Sequence, residues 1–546
     1  MQLLWTAERL KEHGLVAPAH RAPIPDAPQN LTELYDSMLA VDPERIAIVG
    51  RSGALSFAAL EGQVNAACAY LAELGVHPGD RVAASLVNDI HIVVAFLAVQ
   101  RLGAIWVGIN RAYVLGERRH FLQDAGVSIL IADPHVAADT TAAAQTPGNL
   151  RHIVVLDAAD TESSMWHRGL RSHAGAGRPN VEIDPFAPAA IAYTSGTTGL
   201  AKGAVHSQHN ILVSATVAEL LALDSRPGVI RGTALPLTIL NLMILGPVAT
   251  LSRGSRTVCM DRIDVLGVAE WVRNEKINTL TLVPTTVRDL LTRPDIDQRD
   301  LASLTWMVVG AAMVPEGLDK LYRDRFGHDF TVSYGLTENP TTVSRSHAQT
   351  PHVHGAVGRP LSHLDVGICD EAGARVGPGV HGEICVRAIA EGPWANVYTP
   401  VLGYWNNAEA TARLLKDGWL HTGDIGSLDE RGELYIQDRR SDLINRGGAN
   451  VYPAEIERVL RGESGVQDCA VAGRPDARLG QTIAAYIQPS AGVNGQDLIE
   501  RLQQRCAREI AKYKIPAHWV IVEAMPRNAM GKIIKSRLSE NDGKRG

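Results

Sequence analysis

The sequence predicts an α/β protein with a large N-terminal domain and a small, mobile α+β C-terminal domain. In the large domain, two α/β sheets are layered with helices beside a small β unit. Three observations predict this: the 546-residue length, the alternation of strand-like and helix-like segments before Gly355, and changes in the pattern of apolar and turn residues near Gly355 and Arg439. At roughly 100–200 residues per domain, the chain accommodates several structural units, and the alternation indicates parallel sheets covered by helices.

The alternation begins with a helix after Ser56, where apolar residues recur at spacings of three and four up to Gly75. Ser56 is a suitable N-cap, and Gly75 is a typical residue to follow a helix. The following predicted elements are a strand at 81–86, a helix at 89–102, strands ending at 110, at 127–134, at 152–157 and at 190–196, a helix at 210–223, and strands at 277–284, 304–310 and 330–335.

The two later parts of the chain have different patterns. After Gly355, short strands and turns predict a small antiparallel β unit. After Arg439, a helix near Pro453 and alternating apolar runs predict a separate α+β domain. The expected domains are therefore residues 1–440 and 441–546, joined by a hinge rather than a long linker.

Composition excludes several classes of protein. Hydrophobic residues make up 45%, charged residues 21%, and the net charge is -6, so nothing favours binding to nucleic acid or to an anionic membrane. The six cysteines are scattered without a CxxC pair, which indicates a reducing, cytoplasmic compartment. The sequence suggests neither a secretory signal nor a transmembrane segment, and it leaves a homodimer open.

A glycine- and hydroxyl-rich loop has the composition of a phosphate cradle. Residues 193–203 read YTSGTTGLAKG. Glycines let backbone N–H groups approach an anion, hydroxyls add donors, and a lysine adds positive charge. The spacing is not that of a P-loop NTPase, and the loop alone is equally compatible with an ordinary flexible loop of small residues.

The same loop resembles the phosphate-binding signature of the acyl-adenylate-forming superfamily, which includes the acyl-CoA synthetases. Further matches occur in the order of that family. They are YGLTE at 334–338, GYW at 403–405, HTGD at 421–424, YIQDRRSDLINRGGANVYPAEIE at 435–457 and PRNAMGKIIK at 526–535. The resemblance covers nearly the whole chain and implies an AMP-forming acid–CoA ligase that uses ATP, Mg²⁺ and coenzyme A.

The resemblance also implies roles for particular residues. Lys532 would contact the reacting carboxylate and α-phosphate, where a cation stabilises the approach of two anions. Thr198 and Glu338 are further catalytic candidates, and Glu338 would also bind Mg²⁺, which prefers oxygen ligands. The implied ATP- and AMP-binding residues are Thr194, Ser195, Gly196, Thr197, Thr198, Gly199, Lys202, Gly310, Ala311, Ala312, Tyr334, Gly335, Thr337, Asp424, Arg439 and Lys532.

Transfer to coenzyme A is implied mainly by the stretch GGANVYPAEIE at 447–457. Gly447 and Gly448 lack side chains and can line a narrow passage for a pantetheine arm. The hinge position of the family falls on Ser441, where most relatives have Asp or Lys. Candidate cations for the CoA phosphates are Arg446, Arg474, Lys512 and Lys514. Two alternatives are transfer to a separate carrier protein and a catalytically inactive, ligand-binding paralogue.

The acid substrate is the least defined part of the interpretation. Many relatives have an aromatic–histidine pair after a Pro-Leu, where this chain has Thr238 and Ile239. By resemblance the acid pocket is lined by Thr238, Ile239, Asn241, Thr285, Val309 and Gly310. These residues are small or apolar and no cation is evident, so a hydrophobic acid (fatty, alicyclic, aromatic or steroid-like) is favoured over an amino acid or a dicarboxylate. The same residues could instead be ordinary core.

Overall fold

Strands and helices alternate through most of the chain in the computed structural model. It describes residues 4–142, 148–194, 201–217, 228–310, 314, 317–346, 353, 355–439, 442, 444–446, 449–451, 453–476, 480–510, 512–527 and 533–540. Within these residues the strands are β1 (Ile46–Gly50), β2 (Gly53–Ser56), β3 (Arg81–Ser85), β4 (Ile105–Gly108), β5 (Ile129–Ala132), β6 (His152–Val155), β7 (Pro188–Thr194), β8 (Lys202–Ser207), β9 (Ile230–Thr233), β10 (Arg256–Cys259), β11 (Thr279–Leu282), β12 (Trp306–Val309), β13 (Thr331–Leu336), β14 (Thr341–Arg345), β15 (Arg359–Pro360), β16 (Leu364–Cys369), β17 (Gly382–Ala388), β18 (Gly403–Tyr404), β19 (Leu415–Lys416), β20 (Trp419–Leu428), β21 (Leu434–Arg439), β22 (Ile444–Arg446), β23 (Ala449–Val451), β24 (Val466–Asp476), β25 (Gly480–Pro489) and β26 (His518–Ile521).

Helices occupy the connections between many of these strands. The described α-helices are α1 (Ala7–Glu12), α2 (Asp36–Val41), α3 (Phe57–Glu73), α4 (Ile90–Arg101), α5 (Leu115–Asp124), α6 (Pro134–Thr141), α7 (Met165–Ser172), α8 (Gln208–Thr216), α9 (Leu240–Met243), α10 (Ala249–Leu251), α11 (Val265–Glu275), α12 (Pro284–Thr292), α13 (Leu318–Phe326), α14 (Ala408–Leu414), α15 (Pro453–Arg461), α16 (Gly495–Glu509) and α17 (Lys535–Glu540). A π-helical turn, Ile244–Val248, joins α9 to α10, and short 3₁₀ turns lie at Leu31–Glu33, Gln298–Leu301 and Lys512–Lys514. No helix in the described ranges is both long enough and apolar enough to cross a membrane.

The predicted α/β class is confirmed. Among the described residues, one sheet has seven strands in the order β18-β8-β7-β4-β3-β5-β6, with parallel pairing from β7 through β6. A second has nine strands in the order β15-β14-β13-β12-β11-β9-β10-β1-β2, parallel from β13 through β1. The carboxyl ends of the parallel strands meet along one edge of each sheet, where ligands of open α/β sheets usually bind.

Helix α4 lies between apolar surfaces on all sides. Every residue of α4 is buried, and its apolar side chains share one core with residues of both large sheets, such as Ile48 of β1 and Val82 of β3. A helix that is apolar around its whole circumference requires such burial. Asp89 caps its first turn by accepting a hydrogen bond from the Ile90 N–H at 2.8 Å.

Two compact units divide the chain. One comprises Met1–Val366 with Val386–His421, and the other Gly367–Cys385 with Thr422–Gly546. The β unit predicted after Gly355 is a sheet in the order β16-β17-β20-β19, with β21 paired to β20. In the second unit, a further sheet has the order β23-β22-β25-β24 with β26 beside β25, and the apolar sides of α15 and α16 share its core.

Candidate active site

The ends of the predicted phosphate loop lie side by side in the first unit. Strands β7 and β8 form an antiparallel hairpin in which Thr194 is the cross-strand partner of Lys202. The Thr194 hydroxyl donates to the Lys202 carbonyl oxygen at 3.5 Å. The loop residues Ser195, Gly196, Thr197, Thr198 and Gly199 lie outside the described residues. Lys202 therefore lies at one end of the predicted loop segment, opposite Thr194 at the other end.

A tyrosine connects Lys202 with Glu338, the two predicted residues that carry opposite charges. The Lys202 ammonium lies 5.3 Å from the centroid of the Tyr404 ring, within cation–π range. The Tyr404 hydroxyl donates to Glu338 Oε1 at 2.7 Å. The structure thus groups a cation suited to phosphate with a carboxylate whose oxygens are ligands that Mg²⁺ prefers.

Tyr404 is a site residue to which the sequence analysis gave no role, although its GYW motif was recognised. It lies in β18, a short strand that pairs antiparallel with β8 and places Tyr404 opposite Ala204. Gly403 has φ +127°, and a Cβ there would lie 2.5 Å from Thr411. The Thr411 hydroxyl accepts a hydrogen bond from the Tyr404 N–H at 2.9 Å. The glycine and the threonine together fix the tyrosine beside β8.

The YGLTE motif lies at the end of β13, where the backbone is tightly packed. Gly335 pairs with Thr342 across a bulge, and a Cβ on Gly335 would lie 1.9 Å from the Thr341 carbonyl oxygen. Thr341 has φ +78°, a strained value for a β-branched residue. Tyr334 is buried, whereas Thr337 and Glu338 are half-buried. Tight packing therefore constrains the motif just before Glu338, the predicted catalytic carboxylate.

Replacing Gly335 with alanine is expected to destabilise the protein by about 1–3 kcal/mol, because the added methyl group overlaps the Thr341 carbonyl oxygen. Chemical denaturation measures the loss. Gly62→Ala, in α3 with open space at its Cβ position, is the matched control and should be neutral or slightly stabilising. Equal stability of the two variants would contradict the steric account.

The chain just before the predicted acid-pocket segment at 238–241 is fixed through its backbone. Asn88 donates to the carbonyl oxygens of Thr233, Ala234 and Leu235 at 3.2, 3.3 and 2.9 Å, and its Oδ1 accepts from the Leu237 N–H at 2.8 Å. A Cβ on Gly108 would lie 1.9 Å from the Thr238 carbonyl oxygen, so the segment contacts the neighbouring sheet closely. Thr238 is buried, and Ile239 and Asn241 at the start of α9 are half-buried.

The other predicted acid-pocket residues have differing environments. Val309 is fully buried in the apolar core shared with α11, α12 and α13. Gly310 follows it at the carboxyl end of β12, where a Cβ would lie 3.2 Å from Ser333 Oγ. Thr285 is exposed in the first turn of α12. Ala311 and Ala312 lie outside the described residues.

In the second unit, the two candidate ribose-binding residues are cross-strand partners. Asp424 of β20 lies directly opposite Arg439 of β21 in an antiparallel pair. The Thr422 hydroxyl accepts from the Asp424 N–H at 3.1 Å and donates to the Ile384 carbonyl oxygen at 2.7 Å. Gly423 between them has φ +72° and its N–H donates to Glu383 at 2.9 Å. These bonds hold the HTGD segment of β20, which contains Asp424.

The residues on either side of the predicted catalytic lysine are anchored, although Lys532 itself lies outside the described residues. Arg527 and Ile533 form an antiparallel bridge, and the Ile534 N–H donates to the Pro526 carbonyl oxygen at 2.8 Å. Lys535 forms an ion pair with the buried Glu457 at 2.9 Å. Glu457 thus joins the PAEIE motif to the GKIIK motif, a link that the sequence analysis did not identify.

Glu457 is held in its charged form. Burial alone would raise the pKa of this carboxyl group, but Lys535 and Arg461 together lower its pKa below the ordinary value. Glu457 also accepts a hydrogen bond from the Val471 N–H at 2.9 Å. Its stabilising contribution is therefore complete above the unfolded-state pKa of about 4.3 and is lost as pH falls through the lower folded-state pKa.

Glu457→Gln is expected to destabilise the second unit by about 1–3 kcal/mol at pH 7, because Lys535 and Arg461 lose the buried carboxylate with which they form ion pairs. The thermal midpoint of the variant should lie well below that of the wild type at pH 7, and the gap should narrow at acid pH. Glu409→Gln, which removes an exposed ion pair with Arg413, is the control and should change the midpoint little. A gap independent of pH would contradict this role.

Two of the predicted CoA-binding cations, Arg446 and Lys514, bond to other residues of the protein. Arg446 donates to the Tyr513 carbonyl oxygen, and Lys514 bonds both carboxylate oxygens of Glu455, at 2.8 and 2.6 Å. Arg474 lies in β24 opposite Thr482, and Lys512 begins a 3₁₀ turn. The hinge candidate Ser441 and the glycines Gly447 and Gly448 lie outside the described residues. The role of the cations and the glycines in CoA binding and the role of Ser441 as a hinge stay predictions.

Comparisons with known proteins give a consistent result. Residues 36–392 match the family model described as AMP-binding enzyme, and residues 455–532 match the model described as AMP-binding enzyme C-terminal domain. The chain is 33% identical to a feruloyl-CoA synthase from an Amycolatopsis species over 511 residues, which cover 92% of this chain and 97% of that protein. It is 32% identical to an indoleacetate–CoA ligase of Aromatoleum aromaticum, over 93% of this chain and 98% of that ligase.

A solved structure shares the same architecture. The ATP-bound crystal structure of MatB from Rhodopseudomonas palustris superposes with a TM-score of 0.82 at 28% identity, covering 94% of this chain and 98% of that one. The similarity extends over nearly the full length of both chains and includes both the large α/β part and the C-terminal part.

Proposed function

This chain belongs to the AMP-binding enzyme family of acyl-CoA synthetases and is an AMP-forming acid–thiol ligase, and on that premise we propose that it acts on a hydrophobic carboxylic acid. In the first step, a carboxylate oxygen attacks the α-phosphorus of ATP and pyrophosphate leaves. In the second, the CoA sulfur attacks the acyl carbon and AMP leaves. The observation that supports the adenylation step is the Lys202–Tyr404–Glu338 group, which combines a cation suited to phosphate with a carboxylate suited to a divalent metal.

The proposed roles follow from charge. Lys202 neutralises the β- and γ-phosphates and so favours departure of pyrophosphate. Glu338 holds Mg²⁺, with the Tyr404 hydroxyl orienting the carboxylate. Bound Mg²⁺ would supply positive charge to the phosphate oxygens. Asp424 and Arg439 bind the ribose hydroxyls, and Tyr334 contacts the adenine.

The C-terminal domain, which we propose to comprise residues 441–546 with a hinge at Ser441, serves both steps. It brings Lys532 to the reacting carboxylate during adenylation and the Gly447–Gly448 loop to the pantetheine arm during thioester formation. The bonds of residues 526, 527 and 533–535 support the first role, because they fix the chain on both sides of the segment that contains Lys532. The aromatic acids in the names of the two curated relatives support a hydrophobic substrate.

The test is CoA-dependent AMP release across a panel of fatty, alicyclic and aromatic acids. The expected result is that AMP and a thioester form together and that both require acid, ATP and CoA. If AMP release depended on a phosphopantetheinylated carrier protein and never on CoA, the acyl acceptor would be the carrier protein rather than CoA. Absence of pyrophosphate–ATP exchange with every acid would indicate the inactive, ligand-binding alternative.

A further inference from the structure

A buried tyrosine and a buried asparagine form a hydrogen bond beside Glu338. The Tyr398 hydroxyl donates to Asn339 Oδ1 at 2.7 Å, and the two residues are 4% and 2% exposed. Burial raises the pKa of the Tyr398 hydroxyl well above its ordinary value, so the hydroxyl keeps its proton and donates. Asn339 Nδ2 donates in turn to the Thr342 carbonyl oxygen at 3.1 Å. The Asn339 amide thus connects the segment before β18 with the start of β14.

Glu338 is bonded to the same segment through its main chain and through its side chain. The Val401 N–H donates to the Glu338 carbonyl oxygen at 3.2 Å, and the Tyr404 hydroxyl donates to Glu338 Oε1 at 2.7 Å. The Tyr404 hydroxyl can orient the carboxylate only while the two segments keep their spacing. The Tyr398–Asn339 bond joins these segments one residue away from Glu338 and therefore helps to maintain that spacing.

Helix α8 also bonds to both segments. Its buried polar side chains donate to main-chain carbonyl oxygens: His209 Nε2 to Val397 at 2.7 Å, Asn210 Nδ2 to Pro400 at 3.1 Å and Ser214 Oγ to Pro340 at 2.6 Å. Buried polar side chains require such partners, so these bonds define where the segments lie against the helix. Helix α8 directly follows β8, which begins at Lys202. The strand that carries the proposed phosphate cation is therefore continuous with the helix that holds the surroundings of Glu338.

The turn that joins β13 to β14 contains a strained residue between two of these bonds. Thr341 has φ +78°, which a β-branched residue rarely adopts. Such a conformation persists only where the surrounding structure enforces it, and it is frequent at functional sites. The Asn339 amide bonds to the Thr342 carbonyl group just after the strained residue, and α8 bonds to the Pro340 carbonyl group just before it. The turn is therefore held in its conformation by side chains from outside it as well as by its own.

We propose that Asn339 and Tyr398 are positioning residues for adenylation: their hydrogen bond fixes the turn that contains Glu338, so that its carboxylate meets Mg²⁺ in the correct orientation. This inference rests on the proposed function, because it takes Glu338 as the Mg²⁺ ligand. The two residues act through Glu338 and not by contact with ATP or the acid. Hydrogen bonds that orient a metal ligand typically contribute about 10–100-fold in metal affinity or activity. Asn339 and Tyr398 act on the turn rather than on the carboxylate itself, so a smaller effect, of about 3–10-fold, is expected of them.

The experiment measures the Mg²⁺ dependence of pyrophosphate–ATP exchange with the best acid of the panel. Tyr398→Phe removes the donor and keeps the buried ring, and Asn339→Ala removes the acceptor. Each variant should raise the Mg²⁺ concentration for half-maximal exchange by about 3–10-fold, and saturating Mg²⁺ should restore most of the rate. Thioester formation from supplied acyl-adenylate involves no triphosphate and should be unchanged. Tyr35→Phe, which removes a buried hydroxyl that donates to Glu61 at 3.1 Å, is the matched control and should leave the Mg²⁺ dependence unaltered.

A double-mutant cycle tests whether the two residues act through one bond. If they do, the variant with both Tyr398→Phe and Asn339→Ala should raise the Mg²⁺ requirement no more than the more affected single variant does. Equal slowing of both half-reactions with an unaltered Mg²⁺ dependence would overturn the inference, because it indicates a role in stability alone, and it would leave the ligase function intact. Absence of pyrophosphate–ATP exchange in the wild type with every acid would instead count against the proposed function.

Discussion

Replacing Lys532 with alanine is expected to slow acyl-adenylate formation by roughly a hundred- to a thousand-fold, the usual effect of removing one group that stabilises developing charge. The physical reason is that a carboxylate and a triphosphate repel each other, and the ammonium group is proposed to lie between them. Thioester formation from supplied acyl-adenylate should change far less, because that step no longer joins two anions. Pyrophosphate–ATP exchange measures the first half-reaction, and thioester yield from synthetic acyl-adenylate measures the second.

The control for this prediction is Lys320→Ala, which removes an exposed lysine paired with Asp324 on α13. It should leave both half-reactions unchanged. If Lys532→Ala slowed the two half-reactions equally, the lysine would be acting on the fold or on CoA rather than on adenylation. A loss confined to the second half-reaction would reverse the assignment.

Glu338→Gln is expected to lower kcat by about a hundredfold or more and to raise the Mg²⁺ concentration needed for half-maximal rate. Glutamine can still accept a hydrogen bond from Tyr404, so the change tests the negative charge separately from the local packing. A metal ligand without its charge binds Mg²⁺ weakly and neutralises less of the triphosphate. Titration of initial rates with Mg²⁺ at saturating ATP and acid provides the measurement.

Tyr404→Phe is the matched variant, since it removes only the hydroxyl that orients the carboxylate. A residue that hydrogen-bonds to a metal ligand typically contributes about 10–100-fold in metal affinity or activity. Tyr404→Phe is therefore expected to lower kcat less than Glu338→Gln does, and to raise the Mg²⁺ concentration needed for half-maximal rate in the same way. If Glu338→Gln reduced the rate with an unaltered Mg²⁺ dependence, the carboxylate would have another role. A larger loss in Tyr404→Phe than in Glu338→Gln would assign the main role to the tyrosine.

Local pattern was sufficient to locate many secondary-structure elements. The buried strands at Ile129–Ala132 and Trp306–Val309 and the helix Ile90–Arg101 lie within the predicted segments. Each is a short apolar run bounded by polar or turn residues, and such runs have few alternatives in a layered α/β protein. The helix predicted at 210–223 begins at Gln208 and is described as far as Thr216; residues 218–227 lie outside the described residues.

The sequence pattern did not predict contacts between segments that are far apart along the chain. The approach of Tyr404 to Lys202 depends on the pairing of β18 with β8, and pairing partners are set by packing of the whole sheet. The link between Glu457 and Lys535 could have been suspected, since both belong to recognised motifs.

The hydrogen bonds of Asn88 have a consequence for how substrate preference can change. All of them join main-chain atoms of residues 233–237, so they are insensitive to which side chains that segment has. Substitutions just beyond it, at 238–241, are therefore expected to reshape the predicted acid pocket while the backbone at 233–237 keeps its path. Grafting residues 238–245 from a relative should therefore transfer that relative's selectivity for the acid substrate, as long as Asn88 is retained.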